Sequence, residues 1–253
     1  MLQAQRHNLI LRLLSQNTYC SLAQLARELH TSVPTARRDL NILQKQGIVK
    51  RTRGGAMFLG DKDALPLFQD RQSLMASEKT AIGRLAASLV EDGDTIIIDG
   101  GTTPYQVAVH LQNRNIQVVT NSLPVANLFA NSRTVQLIST GGLLHSGTGV
   151  YLGSYAVEML KTVHAQKAFI GVAGINTRGF YNSNALVVET EKQILAAASE
   201  IHIVSDHTKF GRNALAFLCD FSVVTSIITD AFPPEQEELA RLAERNRVKI
   251  YHI

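Results

Sequence analysis

Apolar residues recur every three or four positions through the first 45 residues, a spacing typical of helices that bury one face. The pattern predicts a helix over residues 3–16 and two further helices, which begin after Ser21 and after Ser32. Each serine can accept a hydrogen bond from the first turn of the helix that follows it, and Gly47 can adopt the left-handed conformation that ends a helix. We therefore expect two short helices joined by a tight turn, with the first helix packed behind them.

The third of these helices is predicted to have two different faces. The apolar residues Val33, Ala36, Leu40 and Leu43 fall on one side of a helical wheel and should pack inward. Hydroxyl and amide groups can bond base edges, whereas cationic side chains reach guanine or backbone phosphates. The outward side carries such groups and is predicted to read a DNA groove, through Ser32, Thr35, Arg38, Asn41 and Lys45, with Arg37 on the flank.

Beyond Gly47 the pattern changes to two short strands around a sharp turn. Arg51 and Arg53 supply positive charge, and the glycines at positions 54 and 55 permit the turn. Such a basic hairpin is typical of a wing beside a reading helix, so the segment predicts a module that binds double-stranded DNA. The alternative is a helical hairpin whose charges only face solvent.

The N-terminal segment resembles the winged helix-turn-helix of the DeoR family of bacterial repressors. The resemblance is carried by Arg6, Ile10 and Leu14 at four-residue steps, by Ser32, and by the runs Thr35-Ala36-Arg37-Arg38-Asp39-Leu40 and Arg53-Gly54-Gly55-Ala56. It implies a DNA-binding domain over residues 1–60, with operator DNA as its partner. Residues 61–76 have mixed charge, Pro66 and no clear period, so we expect them to connect this domain to a second one over residues 77–253.

From residue 94 onward, short β-branched runs alternate with helical patterns. Strands are predicted over residues 95–99, 117–120, 135–140, 168–172, 201–205, 223–229 and 248–252. Helices are predicted over residues 104–111, 124–130, 155–162, 189–199 and 235–245. This alternation is typical of a parallel sheet covered by helices. The predicted fold class is therefore α/β, with an N-terminal winged helix-turn-helix and a C-terminal Rossmann-like parallel-sheet domain.

Three of the predicted strands end in small polar turns. These are Asp99-Gly100-Gly101-Thr102-Thr103-Pro104, Thr120-Asn121-Ser122-Leu123-Pro124 and Thr140-Gly141-Gly142. Parallel strands end at one edge of their sheet, where glycine amides, hydroxyls and helix starts favour a bound anion. We expect Thr103 to cap the helix that follows it and a small phosphorylated molecule to bind at this edge, although tight turns also need glycine without any ligand.

The same turns resemble the sensor domain of the DeoR family, which is similar in fold to phosphosugar isomerases and binds phosphorylated sugars or polyols. The segment from Asp206 to Lys209 and Phe210 looks like the family's Asp-x-Ser-Lys-Phe run, with Thr208 where serine is usual. This match implies that Asp206 and Lys209 take part in the inducer response. Details such as Gln5-Arg6-His7-Asn8 look nearest to the glycerol-3-phosphate repressor branch of the family.

Two further lysines match family positions. Lys79 follows Glu78, and Lys192 lies in the predicted helix over residues 189–199, where the acidic residues that usually precede the lysine are shifted to Glu189 and Glu191. The residues expected to bind the effector are therefore Lys79, Asp99, Gly100, Gly101, Thr102, Thr103, Asn121, Gly141, Gly142, Lys192, Asp206 and Lys209.

Charge is distributed unevenly along the chain. Residues 1–60 carry nine Lys and Arg against Glu28 and Asp39, a net charge of +7, whereas the remaining residues carry 16 against 19, a net charge of −3. A polyanion such as DNA is drawn to the basic end. Cys20 and Cys219 lie far apart without metal-ligand spacing, and no long apolar run is present, so we expect a cytoplasmic protein without a metal site or a membrane partner.

Other functional classes remain open at this point. An aldose–ketose isomerase could use Asp99 with Glu189, Glu191 or Lys192 as acid and base, but it has no need of a groove-reading helix. A nonspecific architectural protein would leave the large α/β part without a purpose. No cofactor is expected, because the first turn lacks the fuller glycine spacing of a dinucleotide fold. We expect the protein to be a homo-oligomer, a dimer or a tetramer, that sets two or more reading helices on operator half-sites.

Overall fold

The computed structural model describes residues 3–17, 19–45, 49–52, 54–58 and 67–253. The chain divides into two compact units, Met1–Ala64 and Leu65–Ile253. Within the described ranges, no helix is both long enough and apolar enough to cross a bilayer.

The first unit combines helices with a small antiparallel sheet. Its elements are α1 (Gln3–Asn17), β1 (Tyr19–Ser21), α2 (Leu22–Glu28), α3 (Val33–Lys45), β2 (Val49–Thr52) and β3 (Gly55–Phe58). The strand order is β1-β3-β2, so β2 and β3 form the predicted wing and β1 extends it. The winged helix-turn-helix is confirmed, while β1 was not predicted.

The helix starts of this unit follow from its serine residues. The amide of Gln24 donates to Ser21 Oγ over 3.1 Å, and the amide of Thr35 donates to Ser32 Oγ over 3.4 Å. One predicted core position is wrong, because Val33 is 39% exposed: it lies in the first turn of α3, beyond the core that holds the other inward residues of this helix. Gly47 and Arg53 lie outside the described residues.

The second unit is built around one parallel sheet of seven strands. These strands are β4 (Thr95–Ile98), β5 (Ile116–Thr120), β6 (Val135–Ser139), β9 (Ala165–Gly171), β12 (Ala198–Val204), β14 (Ser226–Thr229) and β15 (Lys249–His252). They are ordered β15-β14-β12-β9-β4-β5-β6, so every strand predicted beyond residue 94 lies in this sheet and the α/β class is confirmed. The chain proceeds from β4 in one direction through β5 and β6, and then from β9 in the other direction. The boundary between β4 and β9 is therefore the topological switch point.

Helices cover both faces of this sheet. They are α4 (Phe68–Ser73), α5 (Ala76–Ala87), α6 (Thr102–Val109), α7 (Leu123–Phe129), α8 (Ser154–Leu160), α9 (Ala185–Ala196) and α10 (Glu237–Arg245). Consecutive strand residues face opposite sides: Ile96 and Ile98 of β4 pack with α5, α6 and α7, whereas Ile97 packs with α8, α9 and α10. Burial on both faces explains why strands such as β4 and β14 are continuous apolar runs.

Further short strands lie beside the main sheet. A hairpin is formed by β7 (Leu143–His145) and β8 (Val150–Leu152), and a second small sheet contains β10 (Gly174–Asn176), β11 (Gly179–Asn182) and β13 (Ala216–Cys219). None of these strands was predicted. Helix α4 was not predicted either: it occupies part of the expected connection over residues 61–76, and Phe68 packs edge-on against Tyr105 of α6.

Two predicted helix starts in this unit are wrong. Helix α6 begins at Thr102 after Gly101, so Thr103 lies inside its first turn and does not cap it. Helix α9 begins at Ala185 because Asn184 Oδ1 accepts hydrogen bonds from the amides of Leu186 and Val187. It ends before Ala198, where β12 begins.

Candidate DNA interface and effector site

The outward face of α3 presents the polar residues that the sequence assigned to DNA. Ser32, Arg37, Arg38, Asn41 and Lys45 are all exposed. Thr35 is half-buried, and its hydroxyl lies 2.9 Å from Ser32 Oγ. Cationic and amide groups on an exposed helix face suit the phosphates and base edges of a major groove.

Arg51 of β2 is engaged with this helix. Its Nη1 donates to Asn41 Oδ1 over 2.5 Å, which joins the wing to the outward face of α3. The sequence assigned both residues to DNA contact but gave no sign of this bond, because the two lie in different elements.

The position of α3 depends on a buried carboxylate, Asp39, whose burial was not predicted from the sequence. Asp39 is 2% exposed and accepts hydrogen bonds from Arg6 Nε over 2.7 Å, from Arg6 Nη2 over 3.1 Å and from His7 Nε2 over 3.1 Å. Burial alone would raise the pKa of Asp39, but the hydrogen bonds from Arg6 and His7 outweigh it and hold the pKa below its usual value. Both donors lie on α1, so these hydrogen bonds hold α3 against α1.

The turns after β4 and β5 form the centre of the second candidate site, at the switch point of the sheet. Asp99 and Asn121 are fully buried, and Asn121 Nδ2 donates to Asp99 Oδ1 over 3.0 Å. Asp99 Oδ2 and Asn121 Oδ1 have no hydrogen-bond partner within the described part of the chain. A buried acceptor without a donor is costly, so Asn121 Oδ1 indicates that a donor from a ligand or water belongs here.

Glu191 of α9 reaches the same place from the other half of the sheet. It is fully buried, its Oε1 accepts from Asn182 Nδ2 over 2.5 Å, and Asn182 Nδ2 also donates to the carbonyl of Gly171 over 3.2 Å. Its Oε2 is likewise without a conventional donor among the described residues. A protonated Glu191 can donate to Asp99, so the two carboxyls can share one proton.

The pKa values of both carboxyls reflect this pairing. Burial raises the pKa of Asp99 to about 6, although hydrogen bonds from Asn121 and from the Gly100 amide oppose the rise. Burial and then the charge of Asp99 raise the pKa of Glu191 well above its ordinary value. Two like charges at close range cannot both form easily, so the charge of Asp99 opposes ionisation of Glu191.

A group of cationic side chains lies around Asp206, and one of them, Arg71, also interacts with the charge of Asp99. Lys79 is 6% exposed, and its Nζ donates to the carbonyls of Arg71 over 2.7 Å and Leu74 over 2.6 Å. Burial lowers its pKa to about 8, while the charge of Asp206 opposes this shift. Since its hydrogen bonds go to backbone at the end of α4, Lys79 acts chiefly as a clamp on that helix.

Lys209 and Arg71 complete this cationic group. Burial lowers the pKa of both side chains, and the charge of Asp206 opposes the shift in Lys209 as that of Asp99 does in Arg71. Asp206 is 2% exposed and caps a turn of 3-10 helix over His207–Lys209 by accepting from the Thr208 amide over 3.1 Å. Arg71 was not predicted, because nothing in the sequence marked α4 as part of the site.

The threonines and glycines of the turns have more than one role. Thr102 and Thr103 are almost fully buried at the start of α6. A Cβ on Gly100 would lie 1.9 Å from Val150 Cγ1, and a Cβ on Gly142 would lie 2.7 Å from the carbonyl oxygen of Leu152, so packing against the hairpin already requires both glycines. Gly101 and Gly141 have φ values of +153° and +62°, which favour glycine for conformational reasons.

Lys192 differs in exposure from the other lysines assigned to the effector site. It is exposed on α9, one position after Glu191. Successive residues of a helix point about 100° apart, so burial of Glu191 turns Lys192 toward solvent. The assignment of Lys192 to the effector site stays a prediction.

Each of the two units matches the model of a known protein family. Residues 6–61 match the model of the DeoR-like helix-turn-helix domain, and residues 75–231 match that of the DeoR C terminal sensor domain. The chain belongs to the DeoR family. Its second unit therefore carries the family's sensor domain, and its first unit carries the family's DNA-binding fold.

Relatives of similar length support this assignment. The chain is 35% identical over 236 residues to the glycerol-3-phosphate regulon repressor of Escherichia coli, covering 92% of this chain and 93% of that protein. It is 32% identical over 250 residues to the transcriptional repressor GlcR of Bacillus subtilis, covering 99% and 96%. It is 35% identical over 236 residues to the lactose phosphotransferase system repressor of Lactococcus lactis, covering 91% and 92%.

A solved structure of ribose 5-phosphate isomerase A from Methanocaldococcus jannaschii matches 54% of this chain and 55% of that chain, with a TM-score of 0.41 and 18% identity. A likeness at this level supports no conclusion about function.

Proposed function

We propose that the protein is a DNA-binding transcriptional repressor of carbohydrate or polyol catabolism genes, and that a phosphorylated sugar or polyol changes its operator affinity. In this proposal residues 1–60 bind DNA, residues 61–76 connect the two domains, and residues 77–253 sense the effector. The protein acts in the cytoplasm. One observation carries this proposal: a single chain joins an exposed cationic helix face to a sheet edge where a buried acceptor, Asn121 Oδ1, has no donor among the described residues.

Operator recognition is assigned to α3 and the wing. Arg38 contacts guanine or phosphate, and Thr35 and Asn41 contact base edges. Phosphates are contacted by Arg37 and Lys45 of this helix and by Arg53 of the wing. A dimer or tetramer presents two or more copies of α3 to repeated half-sites. The three relatives named above are repressors, which supports the same role here.

The effector is assigned to the edge of the sheet. Its phosphate group and its hydroxyl groups are recognised by different residues. The helix start at Thr102 and the ammonium of Lys209 suit a phosphate group. Asp99 and Asn121 supply acceptors for sugar or polyol hydroxyls. Ligand binding shifts operator affinity only as far as the ligand prefers one arrangement of the oligomer over another.

The proposal is tested by measuring operator binding of the full chain against a panel of sugar and polyol phosphates and their unphosphorylated counterparts. We expect at least one phosphorylated compound to change operator affinity and its unphosphorylated counterpart to have no effect. Arg38→Ala should abolish operator binding and keep effector binding, whereas Arg27→Ala, which removes an exposed arginine from α2, should have little effect on operator selection.

The sensor side is tested with the double variant Thr102→Ala and Lys209→Ala. It should bind operator normally and lose the effector response, while Lys249→Ala, which removes an exposed lysine of the same unit, should keep that response. If every variant lost both activities, or if no phosphorylated compound altered DNA binding, the two-part function would be refuted.

The buried carboxyl pair favours one second candidate, a phosphosugar isomerase-like enzyme. A protonated Glu191 and an ionised Asp99 are the acid and base that an aldose–ketose isomerisation needs. Incubation of the full chain with the same panel, followed by product analysis, separates the two functions. Turnover that persists after deletion of residues 1–60 and disappears in Asp99→Asn would support the enzyme, whereas ligand-dependent binding to DNA without turnover supports the repressor.

A further inference from the structure

Pro34 lies at the centre of the outward face of α3. It is the second residue of the helix, and Arg38, Asn41 and Lys45 follow it on the same helix. At about 100° per residue, Pro34 lies within about 20° of Asn41 and of Lys45 around the helix axis and about 40° from Arg38. All four residues are exposed. Pro34 is the one among these four whose side chain has no polar atom, so it contacts DNA differently from the other three.

The first turn of α3 is poorly suited to hold a phosphate group. A helix start binds an anion through backbone amides that have no partner within the protein. Pro34 has no amide hydrogen, and the amides of Thr35 and Ala36 donate to Ser32, to Oγ over 3.4 Å and to the carbonyl oxygen over 3.0 Å. At Pro34 the turn therefore presents an apolar ring without a backbone donor.

An apolar ring matches one feature of the major groove better than the others. The N-terminal residues of a reading helix contact base edges. These edges carry polar atoms, and thymine adds an apolar 5-methyl group. Covering a polar base atom without a hydrogen bond is costly, whereas burial of a methyl group is favourable. The ring of Pro34 therefore fits thymine better than cytosine, which has only a hydrogen at the same ring position.

We propose that Pro34 is a specificity-determining residue of the reading helix: its ring contacts the 5-methyl group of a thymine in each operator half-site. This inference rests on the proposed function, because it requires that α3 lies in the major groove of an operator. A purely structural role is the alternative, since proline is favourable in the first turn of any helix. The experiment must therefore measure an effect that a structural role would not produce.

The experiment compares thymine with deoxyuridine, which lacks only the 5-methyl group. The full wild-type chain first selects an operator from a randomised duplex library, and each thymine of that operator is then replaced singly by deoxyuridine. Burial of one methyl group corresponds to about fourfold in affinity. We expect the wild type to lose about fourfold at a thymine whose replacement has no effect on Pro34→Gly.

Val33→Gly is the matched control, because it places the same new residue in the same turn. It removes an apolar side chain that is 39% exposed and lies about 100° from Pro34 around the helix. It should keep the loss of about fourfold at that thymine. Each ratio of thymine to deoxyuridine affinity is taken within one variant, so a general weakening of DNA binding cancels.

Pro34→Ala is a second variant that retains a residue favourable to helices. It removes most of the ring and should reduce the loss at that thymine to about twofold or less. Thermal unfolding of each variant checks that the first unit is folded, and Pro34→Ala decides the question if Pro34→Gly is unfolded.

The outcomes separate two failures. If the wild type selects no sequence at all, the proposed function fails and the inference fails with it. If the wild type selects an operator but the folded Pro34 variants keep the wild-type response to deoxyuridine at every thymine, the ring does not contact a methyl group and only the inference is overturned. The same holds if Val33→Gly abolishes the response at the same thymine as Pro34→Gly.

Discussion

Replacing Asp99 by asparagine should remove a large part of the pH dependence of stability. The ordinary pKa of this carboxyl is 3.8, and burial raises it to about 6 in the folded protein. At about 1.4 kcal/mol for each pH unit, that difference corresponds to about 3 kcal/mol. Asp99 is fully buried, so solvent does not screen this contribution.

The direction of the effect follows from proton binding. In the unfolded chain the carboxyl ionises at its ordinary pKa, whereas in the folded chain it keeps its proton until the pH reaches about 6. The folded chain therefore binds more protons in that interval, and the free energy of unfolding is highest below the ordinary pKa and falls as pH rises through the folded pKa. The pKa of Glu191 is raised in the same sense, so it adds to the loss in the wild type.

The assay is urea unfolding of the full chain, followed by far-UV circular dichroism, at intervals from about pH 4 to about pH 8. The free energy of unfolding of the wild type should fall, relative to Asp99→Asn, by about 3 kcal/mol or more across this range. Glu189→Gln is the control, because it removes an exposed carboxyl from the same helix as Glu191 and should run parallel to the wild type. If the curves of wild type and Asp99→Asn were parallel, the shared proton would be refuted.

Three further predictions concern other parts of the molecule. Asp39→Asn should lower the free energy of unfolding of the first unit by about 1–3 kcal/mol, since Arg6 loses its charged partner, and chemical denaturation checks this. Gly100→Ala should destabilise the second unit because its Cβ would lie 1.9 Å from Val150 Cγ1, and Val150→Ala in the same chain should restore part of the loss in thermal unfolding. Lys45→Met should reduce the slope of operator affinity against salt concentration by about one, measured by titration at several salt concentrations.

The main elements of the fold could be predicted because their signals are local. Central strands such as β4 and β14 are buried on both faces, so each is a β-branched run that stands out in the sequence. The short strands β7, β8, β10, β11 and β13 lack this signal. They exist because of pairing with a partner strand, and their residues include exposed positions such as Leu143 and Phe217.

The candidate sites could be predicted only in part. Asp99 and Asn121 are found from the turns that follow strands, because the ends of neighbouring parallel strands must meet. Arg71 and Asn182 lie on elements whose approach to the site depends on tertiary packing, which no local pattern encodes. Asp39 was counted among the acidic residues, whereas its burial against Arg6 and His7 requires the packing of α1 on α3.

The hairpin of β7 and β8 is fastened to both turns that hold the buried acceptors. The methyl group of Val150 fills the space left by the missing side chain of Gly100, and the amide of Tyr151 donates to the carbonyl of Asn121 over 2.7 Å. A molecule that displaces either turn must therefore also displace the hairpin. The hairpin begins with Leu143, which is 70% exposed. A displacement of either turn would therefore also move a residue on the surface of the second unit.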